Sequence, residues 1–242
     1  MMRIYYNISS LICVLILYFD ITVAKIQNDL AFNTLNGIDN PITFLDKDLY
    51  TISNKYNSYG GEKLVVKVFY ESLCPDCTTF YKYQFAPTVL KLSQYLHILT
   101  FPYGNAQTTT DHGRVTFKCQ HGPAECYGNK LHACAIDYLR NTTAAVIFNS
   151  CMVDPDHRGG SDDAAADRCA LQLNLDSKPI KKCAKGSRGS ELLKYYGEKS
   201  KKANFKYVPY ILVNNSVKDG TNFMKDVCDE FTVPPPECTE YY

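Results

Sequence analysis

The stretch KLVVKVFYESLCPDCTTF, residues 63–80, decides the fold prediction, because a short apolar run leads directly into two closely spaced cysteines. Its first eight residues are mostly β-branched or aromatic, which predicts a buried strand. After Cys77, apolar side chains recur at every third or fourth position as far as Leu96, which predicts one face of a helix. Pro87 lies inside this pattern and should make the helix irregular, because proline lacks the N–H that an interior turn needs.

Residues 96–101 predict a second strand, so this part of the chain reads as strand, cysteine pair, helix and strand. Much later, residues 207–215 predict another short buried strand, which the chain enters through Val208 and Pro209. The sequence therefore predicts an α/β fold with the cysteine pair at the start of its first helix.

That position favours redox chemistry for Cys74 and Cys77. Unpaired N–H groups and the partial positive charge at a helix start stabilise a thiolate, which is the nucleophilic form of cysteine. We expect Cys74, at the exposed end, to attack and Cys77, one turn further in, to resolve the mixed disulfide. Glu71 and Asp76 would oppose the thiolate, weakly if they are solvated.

The cysteine pair could instead be purely structural, in either of two ways. A structural zinc site would need a second closely spaced pair of ligands, and the sequence has no other C-x-x-C. A structural disulfide is a stronger competitor. The strand–cysteine pair–helix order is nevertheless typical of a thioredoxin-like redox site, and Pro209 could place a cis peptide bond beside the pair.

The chain begins with a segment that predicts export. Arg3 precedes an apolar run from Ile8 to Phe19, and small residues near Ala24 suit cleavage after it. We therefore expect a signal peptide over residues 1–24 and a protein of the secretory pathway. Residues 25–61 are polar, and we expect an N-terminal segment there that fits a propeptide.

Composition limits the partners. The net charge is +1 and there is no charge run, so we expect no nucleic-acid partner. The leading apolar run is too short for a membrane span and no later segment is apolar enough, so none is expected. Nothing in the sequence predicts a cofactor or a metal ion.

Secretion also predicts that the remaining cysteines pair, although their connectivity stays open. Eight cysteines remain after the signal peptide and the C-x-x-C pair are set aside, and all eight are expected in structural disulfides: Cys119, Cys126, Cys134, Cys151, Cys169, Cys183, Cys228 and Cys238. Two sequons predict glycosylation at Asn141 and Asn214.

Residues 105–201 differ from the segments around them, because they carry six of these cysteines and several stretches with helical patterns. We expect helices over His132–Met152, Asp163–Leu173 and Ser190–Lys201. This part of the chain is therefore predicted as a disulfide-stapled helical insertion.

The insertion divides the predicted domain in two. Residues 62–104 and 202–232 together would form the thioredoxin-like domain, with a closing helix over 222–231. Residues 233–242 are too rich in proline to continue any element and are expected to form a tail.

A second motif carries a family resemblance. Residues 119–134 read CQHGPAECYGNKLHAC and fill every fixed position of the pattern C-Q-H-G-x-x-E-C-x-x-N-x-x-x-x-C. This pattern is similar to the motif of the gamma-interferon-inducible lysosomal thiol reductase family. The stretches YESLCPDC and YVPYILVNN also resemble that family's active-site and cis-proline segments. The resemblance covers roughly residues 62–230.

The resemblance implies a thioredoxin-like fold with a helical insertion, and an enzyme that reduces protein disulfides in an acidic endolysosomal compartment or after secretion. It implies catalysis by Cys74 and Cys77, with the substrate lying along Val208 and Pro209. The expected partners are disulfide-containing proteins and a small-thiol or protein reductant. His121 is expected to have a structural role, in a turn fixed by disulfides.

Two rival functions stay open at this level. The same cysteine pair could serve a secretory-pathway disulfide oxidase or isomerase, because sequence does not set a reduction potential. The fold could also serve as a secreted disulfide-rich binding protein without turnover.

Overall fold

The computed structural model describes residues 62–154 and 160–241. The predicted signal peptide and the segment over 25–61 lie outside the described residues. In chain order the elements are β1 (Leu64–Tyr70), α1 (Pro75–Phe80), α2 (Ala86–Leu92), β2 (Leu96–Pro102), β3 (Gln107–Asp111), β4 (Arg114–Lys118), α3 (Pro123–Leu139), α4 (Thr142–Met152), α5 (Asp163–Gln172), α6 (Lys178–Lys185), α7 (Ser187–Ala203), β5 (Tyr210–Val213), β6 (Ser216–Lys218) and α8 (Phe223–Cys228).

The main sheet has four strands in the order β2–β1–β5–β6. The central strand β1 pairs in parallel with β2, and its other edge pairs antiparallel with β5, where Phe69 lies opposite Tyr210. The β5–β6 hairpin completes the sheet and α8 follows it. A parallel β–α–β unit, an antiparallel hairpin on its other edge and a closing helix form a thioredoxin-like fold, as predicted.

Strand β1 is central because both of its faces are covered. Val66, Val68 and Tyr70 point into a core that α1, α2 and α8 also supply. On the opposite face, the ring of Phe69 stacks on Phe101 of β2 with centroids 4.3 Å apart. A strand buried on both faces needs a near-continuous apolar sequence, which explains why this run was readable.

The helix after the cysteines starts and bends where its sequence dictates. Cys74 keeps an extended backbone and Pro75 is the first helical residue, where its missing N–H costs nothing. A π-turn over Tyr81–Phe85 joins α1 to α2, and Pro87 follows just inside α2. The irregularity predicted at Pro87 is therefore present, but it begins one turn before the proline.

The prediction of one helix over His132–Met152 was wrong. Helix α3 begins at Pro123 and ends where Arg140 adopts a left-handed conformation, with φ of 50°. Helix α4 then starts at Thr142, and the side chain of Asn141 accepts a hydrogen bond of 2.9 Å from the Ala144 N–H. Asparagine is a preferred residue at the start of a helix, so Asn141 favours a new helix directly after the break at Arg140.

Three elements within residues 105–201 were not predicted. The threonine-rich β3 and its partner β4 form an exposed hairpin, in which Asp111 pairs with Arg114. Helix α6 is short and has Cys183 in its last turn. The helices expected over Asp163–Leu173 and Ser190–Lys201 are present as α5 and α7.

Four disulfides join eight cysteines: Cys119–Cys126, Cys134–Cys183, Cys151–Cys169 and Cys228–Cys238. The second and third tie α3 to α6 and α4 to α5, so they fasten helices that share a second apolar core. The fourth holds the C-terminal tail against α8. Within the described ranges, no helix is both long and apolar enough to cross a membrane.

Candidate active site

Cys74 and Cys77 lie side by side at the start of α1 and are not bonded to each other in this structure. Cys74 is 7% exposed and Cys77 only 1%. The backbone closes the first turn around them, with the Thr78 N–H donating to the Cys74 carbonyl at 3.0 Å. Cys74 therefore keeps a narrow opening to solvent, whereas Cys77 is sealed behind it.

The two thiols ionise very differently. A hydrogen bond from Cys77 and the backbone N–H groups of Cys77 and Asp76 lower the pKa of Cys74 to about 6, against the opposing effect of burial. Burial, together with the hydrogen bond and charge of Cys74, raises the pKa of Cys77 well above its ordinary value. At neutral pH the accessible sulfur is thus a thiolate and the buried sulfur is a thiol.

Strand pairing brings the predicted proline segment to the thiolate. Because β5 pairs with β1, the residues just before β5 lie beside the residues just after β1. The Val208–Pro209 peptide bond is cis, and the Val208 carbonyl oxygen lies 3.9 Å from the Cys74 sulfur. A polypeptide that ran alongside Val208 would place its own backbone within reach of Cys74.

Three side chains beside the cysteines were not assigned to the site from the sequence. The Cys119–Cys126 disulfide folds the loop before α3, so that His121 Nδ1 lies 2.5 Å from Glu125 Oε2 and 3.4 Å from Glu71 Oε2. His121 thus lies in a disulfide-fixed turn as predicted. Its side chain faces the loop that joins β1 to α1, which we call the redox loop. Glu71 is fully buried and not solvated.

The same three residues are the group in the described chain that offers metal-ligand atoms within 4.8 Å of one another. Hydrogen bonds already engage Glu125 Oε1, Glu125 Oε2 and Glu71 Oε1, whose donors are His121 and the Asn105 N–H. Hydrogen bonding therefore explains most of the arrangement without a cation, and we assign no metal to it.

Helix α3 is anchored to the redox loop by buried polar contacts. The Ser72 N–H donates to Asn129 Oδ1 at 2.9 Å, and the Tyr70 hydroxyl lies 3.0 Å from His132 Nδ1. Burial lowers the pKa of His132 to about 3, so this ring stays neutral and acts as a hydrogen-bonding link. Helix α3 therefore positions the redox loop, which leads to Cys74.

The two sequon asparagines lie away from the cysteines. Asn141 caps α4, and Asn214 Oδ1 accepts a hydrogen bond of 3.0 Å from the Val65 N–H. Both side-chain oxygens therefore have structural partners, and the glycosylation expected at these positions remains a prediction.

A cavity of about 710 Å³ lies at the opposite end of β1 from the cysteines, between Leu64, Tyr95 and Phe231. Its lining contains neither cysteine of the pair, so the redox chemistry takes place elsewhere. The cysteines instead lie at the end of the sheet where β1 ends and β5 begins.

This fold, with an ionisable cysteine buried against a less acidic partner at the first helix, defines a thiol-disulfide oxidoreductase. Residues 65–173 match the family model described as "Gamma interferon inducible lysosomal thiol reductase (GILT)". The chain is 32% identical over 202 residues to a gamma-interferon-inducible lysosomal thiol reductase-like protein of Anopheles gambiae, which covers 75% of this chain and 83% of that protein. The chain belongs to the GILT family and is a thiol reductase.

Two further proteins are similar to this chain, one in sequence and one in structure. The chain is 32% identical over 179 residues to the gamma-interferon-inducible lysosomal thiol reductase of Mus musculus, across 72% of this chain and 71% of that one. A putative protein disulfide isomerase from Nitrosomonas europaea superposes with a TM-score of 0.48 at 10% identity, over 69% of this chain and 97% of that one. The fold assignment rests on the strand order of the main sheet and not on this superposition.

Proposed function

We propose that this thiol reductase acts on disulfide bonds of protein substrates through Cys74 and Cys77, in an endolysosomal compartment or after secretion. The observation that carries the proposal is two unbonded sulfurs at the start of α1, one with a narrow opening to solvent and one sealed behind it, whose pKa values are shifted in opposite directions. The Cys74 thiolate is the ready nucleophile, and the Cys77 thiol is held in reserve behind it.

The reaction proceeds in two exchanges. The Cys74 thiolate attacks one sulfur of the substrate disulfide, a Cys74–substrate disulfide forms, and the other substrate sulfur leaves as a thiolate that takes up a proton. Cys77 then loses its proton and attacks the Cys74 sulfur, which releases the second substrate thiol. The enzyme is left with a Cys74–Cys77 disulfide, and a small thiol or a protein dithiol reduces it for the next cycle.

The substrate backbone is proposed to lie along Val208 and Pro209. Support comes from the 3.9 Å separation between the Val208 carbonyl oxygen and the Cys74 sulfur, because the backbone of Val208 then lies beside the thiolate. A polypeptide in that position can offer its cystine to Cys74 with little movement of either partner.

A pair of single substitutions tests the roles of the two cysteines. Cys74→Ser should abolish turnover of an insulin-type disulfide substrate, because serine cannot form the mixed disulfide. Cys77→Ser should instead accumulate a covalent enzyme–substrate complex that mass spectrometry detects and that dithiothreitol releases. Full activity of Cys74→Ser, or trapping by Cys74→Ser in place of Cys77→Ser, would contradict the proposed roles.

A second function, disulfide oxidation, is favoured by one observation. A lowered pKa of Cys74 stabilises the reduced enzyme, which makes the pair more oxidising. The reduction potential of the cysteine pair separates the two functions. It is about −270 mV in a thioredoxin-type reductase and about −120 mV in a strong oxidase. A value in the oxidising range, with no net reduction of substrate at acidic or neutral pH, would favour the oxidase.

A further inference from the structure

Two carboxylates share one imidazole beside the redox cysteines. His121 Nδ1 lies 2.5 Å from Glu125 Oε2 and 3.4 Å from Glu71 Oε2, and the His121 backbone N–H donates to Glu125 Oε1 at 3.0 Å. The side chain of His121 is 33% exposed, while both carboxylates are fully buried. We refer to Glu71, His121 and Glu125 as the carboxylate–histidine cluster.

Of the two carboxylates in the cluster, Glu71 has fewer hydrogen bonds that would stabilise a negative charge. Its Oε1 accepts a 2.6 Å hydrogen bond from the Asn105 N–H, but its Oε2 has no hydrogen-bond partner among the described residues. The side chain also packs directly on Gly104, where a Cβ would collide with it. A buried carboxylate oxygen without a donor favours the protonated acid, and so does the second carboxylate nearby.

The cluster and Cys74 act on each other through charge. The titratable groups that interact with the Glu71 carboxyl include Glu125, Cys74, Cys77 and His121, and those that act on His121 include Glu125, Glu71 and Cys74. On its solvent side Cys74 also faces the exposed carboxylate of Asp76. The charge state of the cluster therefore affects the thiolate, although neither Glu71 nor His121 is needed to make a bond.

We propose that the carboxylate–histidine cluster is a positioning unit that takes up protons as the solution becomes acidic, so that the negative charge facing Cys74 decreases and the attacking thiolate persists at lower pH. This inference rests on the proposed reduction of disulfides in an acidic compartment. It gives the CQHG motif an electrostatic role in the reaction in addition to its disulfide-fixed turn.

The direction of the effect follows from the signs of the charges. Burial raises the pKa of Glu71 to about 7, and the charges of Glu125 and Cys74 add to this against the Asn105 hydrogen bond. Burial lowers the pKa of His121, but the hydrogen bond and charge of Glu125 and the charge of Glu71 raise it overall. As pH falls through 7, Glu71 therefore becomes neutral, and the raised pKa of His121 favours its cationic form. Both changes favour the thiolate of Cys74.

The test is a titration of Cys74 in the reduced full-length enzyme. The rate of iodoacetamide alkylation at Cys74 is measured against pH, with the site of modification identified by mass spectrometry. In wild-type enzyme the coupled ionisation of Cys74 and Glu71 should give a broad, two-step curve. Glu71→Gln keeps an oxygen acceptor for the Asn105 N–H but removes the charge, so the midpoint should fall and the curve should sharpen to one step.

Two further variants make the result specific. His121→Gln removes the positive charge and should shift the Cys74 midpoint upward, opposite to Glu71→Gln, which general damage to the loop would not do. Asp76→Asn removes an exposed carboxylate and serves as the matched control, because it should lower the midpoint but leave the two-step shape of the curve. Reciprocally, Cys74→Ser should lower the midpoint of the Glu71 carboxyl, followed by isotope-edited infrared or carbon NMR spectroscopy.

Each outcome decides the inference. An unchanged Cys74 titration in Glu71→Gln, or shifts of the same sign in Glu71→Gln and His121→Gln, overturns it. A change of the wild-type titration on adding EDTA shows that the cluster holds a cation, which also overturns it. Failure of the proposed function is distinguishable, because a protein that turns over no disulfide substrate can still show these titration shifts.

Discussion

Cys74 in the region of the main sheet and Cys134 in the helical insertion are both buried, yet the structure gives them opposite tasks. Cys74 and Cys77 remain unbonded at the end of β1, whereas Cys134 and Cys183 are bonded to each other between α3 and α6. Backbone N–H groups and a neighbouring thiol stabilise a charge on Cys74. Cys134 is completely buried in an apolar core, among alanines and leucines. Local electrostatics, more than burial, therefore separates a reactive cysteine from a structural one.

The strongest way to sharpen this comparison is to remove a disulfide of the helical region. Replacing both Cys134 and Cys183 by serine opens a loop with a sequence separation of 49 and should lower the free energy of unfolding by about 4 kcal/mol. The folded fraction should keep its turnover to within about twofold, because distant sites act independently. Chemical denaturation and activity per folded molecule measure the two effects.

The disulfide between Cys228 and Cys238 provides the matched control. Its sequence separation is only 10, so the same double replacement should cost less, about 3 kcal/mol. If either disulfide proved essential for turnover by properly folded enzyme, the separation between a chemical region and a structural region would not hold.

The next largest effect concerns the two thiols of the sheet region. With its pKa near 6, Cys74 should be mostly thiolate at pH 7 and mostly thiol at pH 5, so its alkylation should slow as the pH falls through 6. Cys77, buried and with a raised pKa, should react at least about 100-fold more slowly at pH 7. Mass spectrometry of partially alkylated enzyme gives both rates, and equal rates would contradict this asymmetry.

A smaller effect is expected where the two regions touch. A Cβ at Gly128 of α3 would lie 2.5 Å from Ser72 Oγ and 2.9 Å from the Ser161 carbonyl oxygen. Gly128→Ala should therefore destabilise the protein by about 2 kcal/mol, in spite of the better helix propensity of alanine. It should also displace the redox loop and lower kcat.

Adding Ser72→Ala to Gly128→Ala provides the control, because it removes one of the colliding atoms and should recover part of the loss. Thermal unfolding and steady-state kinetics of the single and double variants measure this coupling. A fully stable, fully active Gly128→Ala enzyme would show that α3 does not position the loop.

The smallest predicted effect lies wholly within the helical region. Asn141→Ala removes the cap of α4 and should cost about 1 kcal/mol of stability, with no change in the thiolate titration of Cys74. Thr143→Ala removes the same sequon but leaves the cap, so comparing the two variants separates capping from glycosylation. Equal losses of stability in both would assign the effect to the glycan.

The predictions from sequence were most accurate where a local pattern is sufficient. The strand expected over 63–70 is β1, and the helix start at the cysteines is where the proline and the apolar spacing placed it. The β3–β4 hairpin was missed because β3 has no apolar residue and the alternation in β4 covers only Val115 and Phe117. The break at Arg140 was missed because the helical pattern continues across the asparagine cap.

The site was only partly readable for a related reason. The spacing of Cys74 and Cys77 is local, so it predicted a redox pair. Glu71 and Glu125 are 54 positions apart and meet only because α3 packs against the end of β1. The sequence left open whether Glu71 is solvated, and only the folded protein shows it buried.

The sequence by itself determined the thioredoxin-like core, the redox pair and the set of eight cysteines left to form disulfides, because strand periodicity and residue spacing are properties of short segments. Tertiary structure alone decided which cysteines pair in the four disulfides and that His121 stands between two buried carboxylates. These depend on burial and on charges brought together over long separations in the chain, and free energies of that kind arise only when the chain is folded.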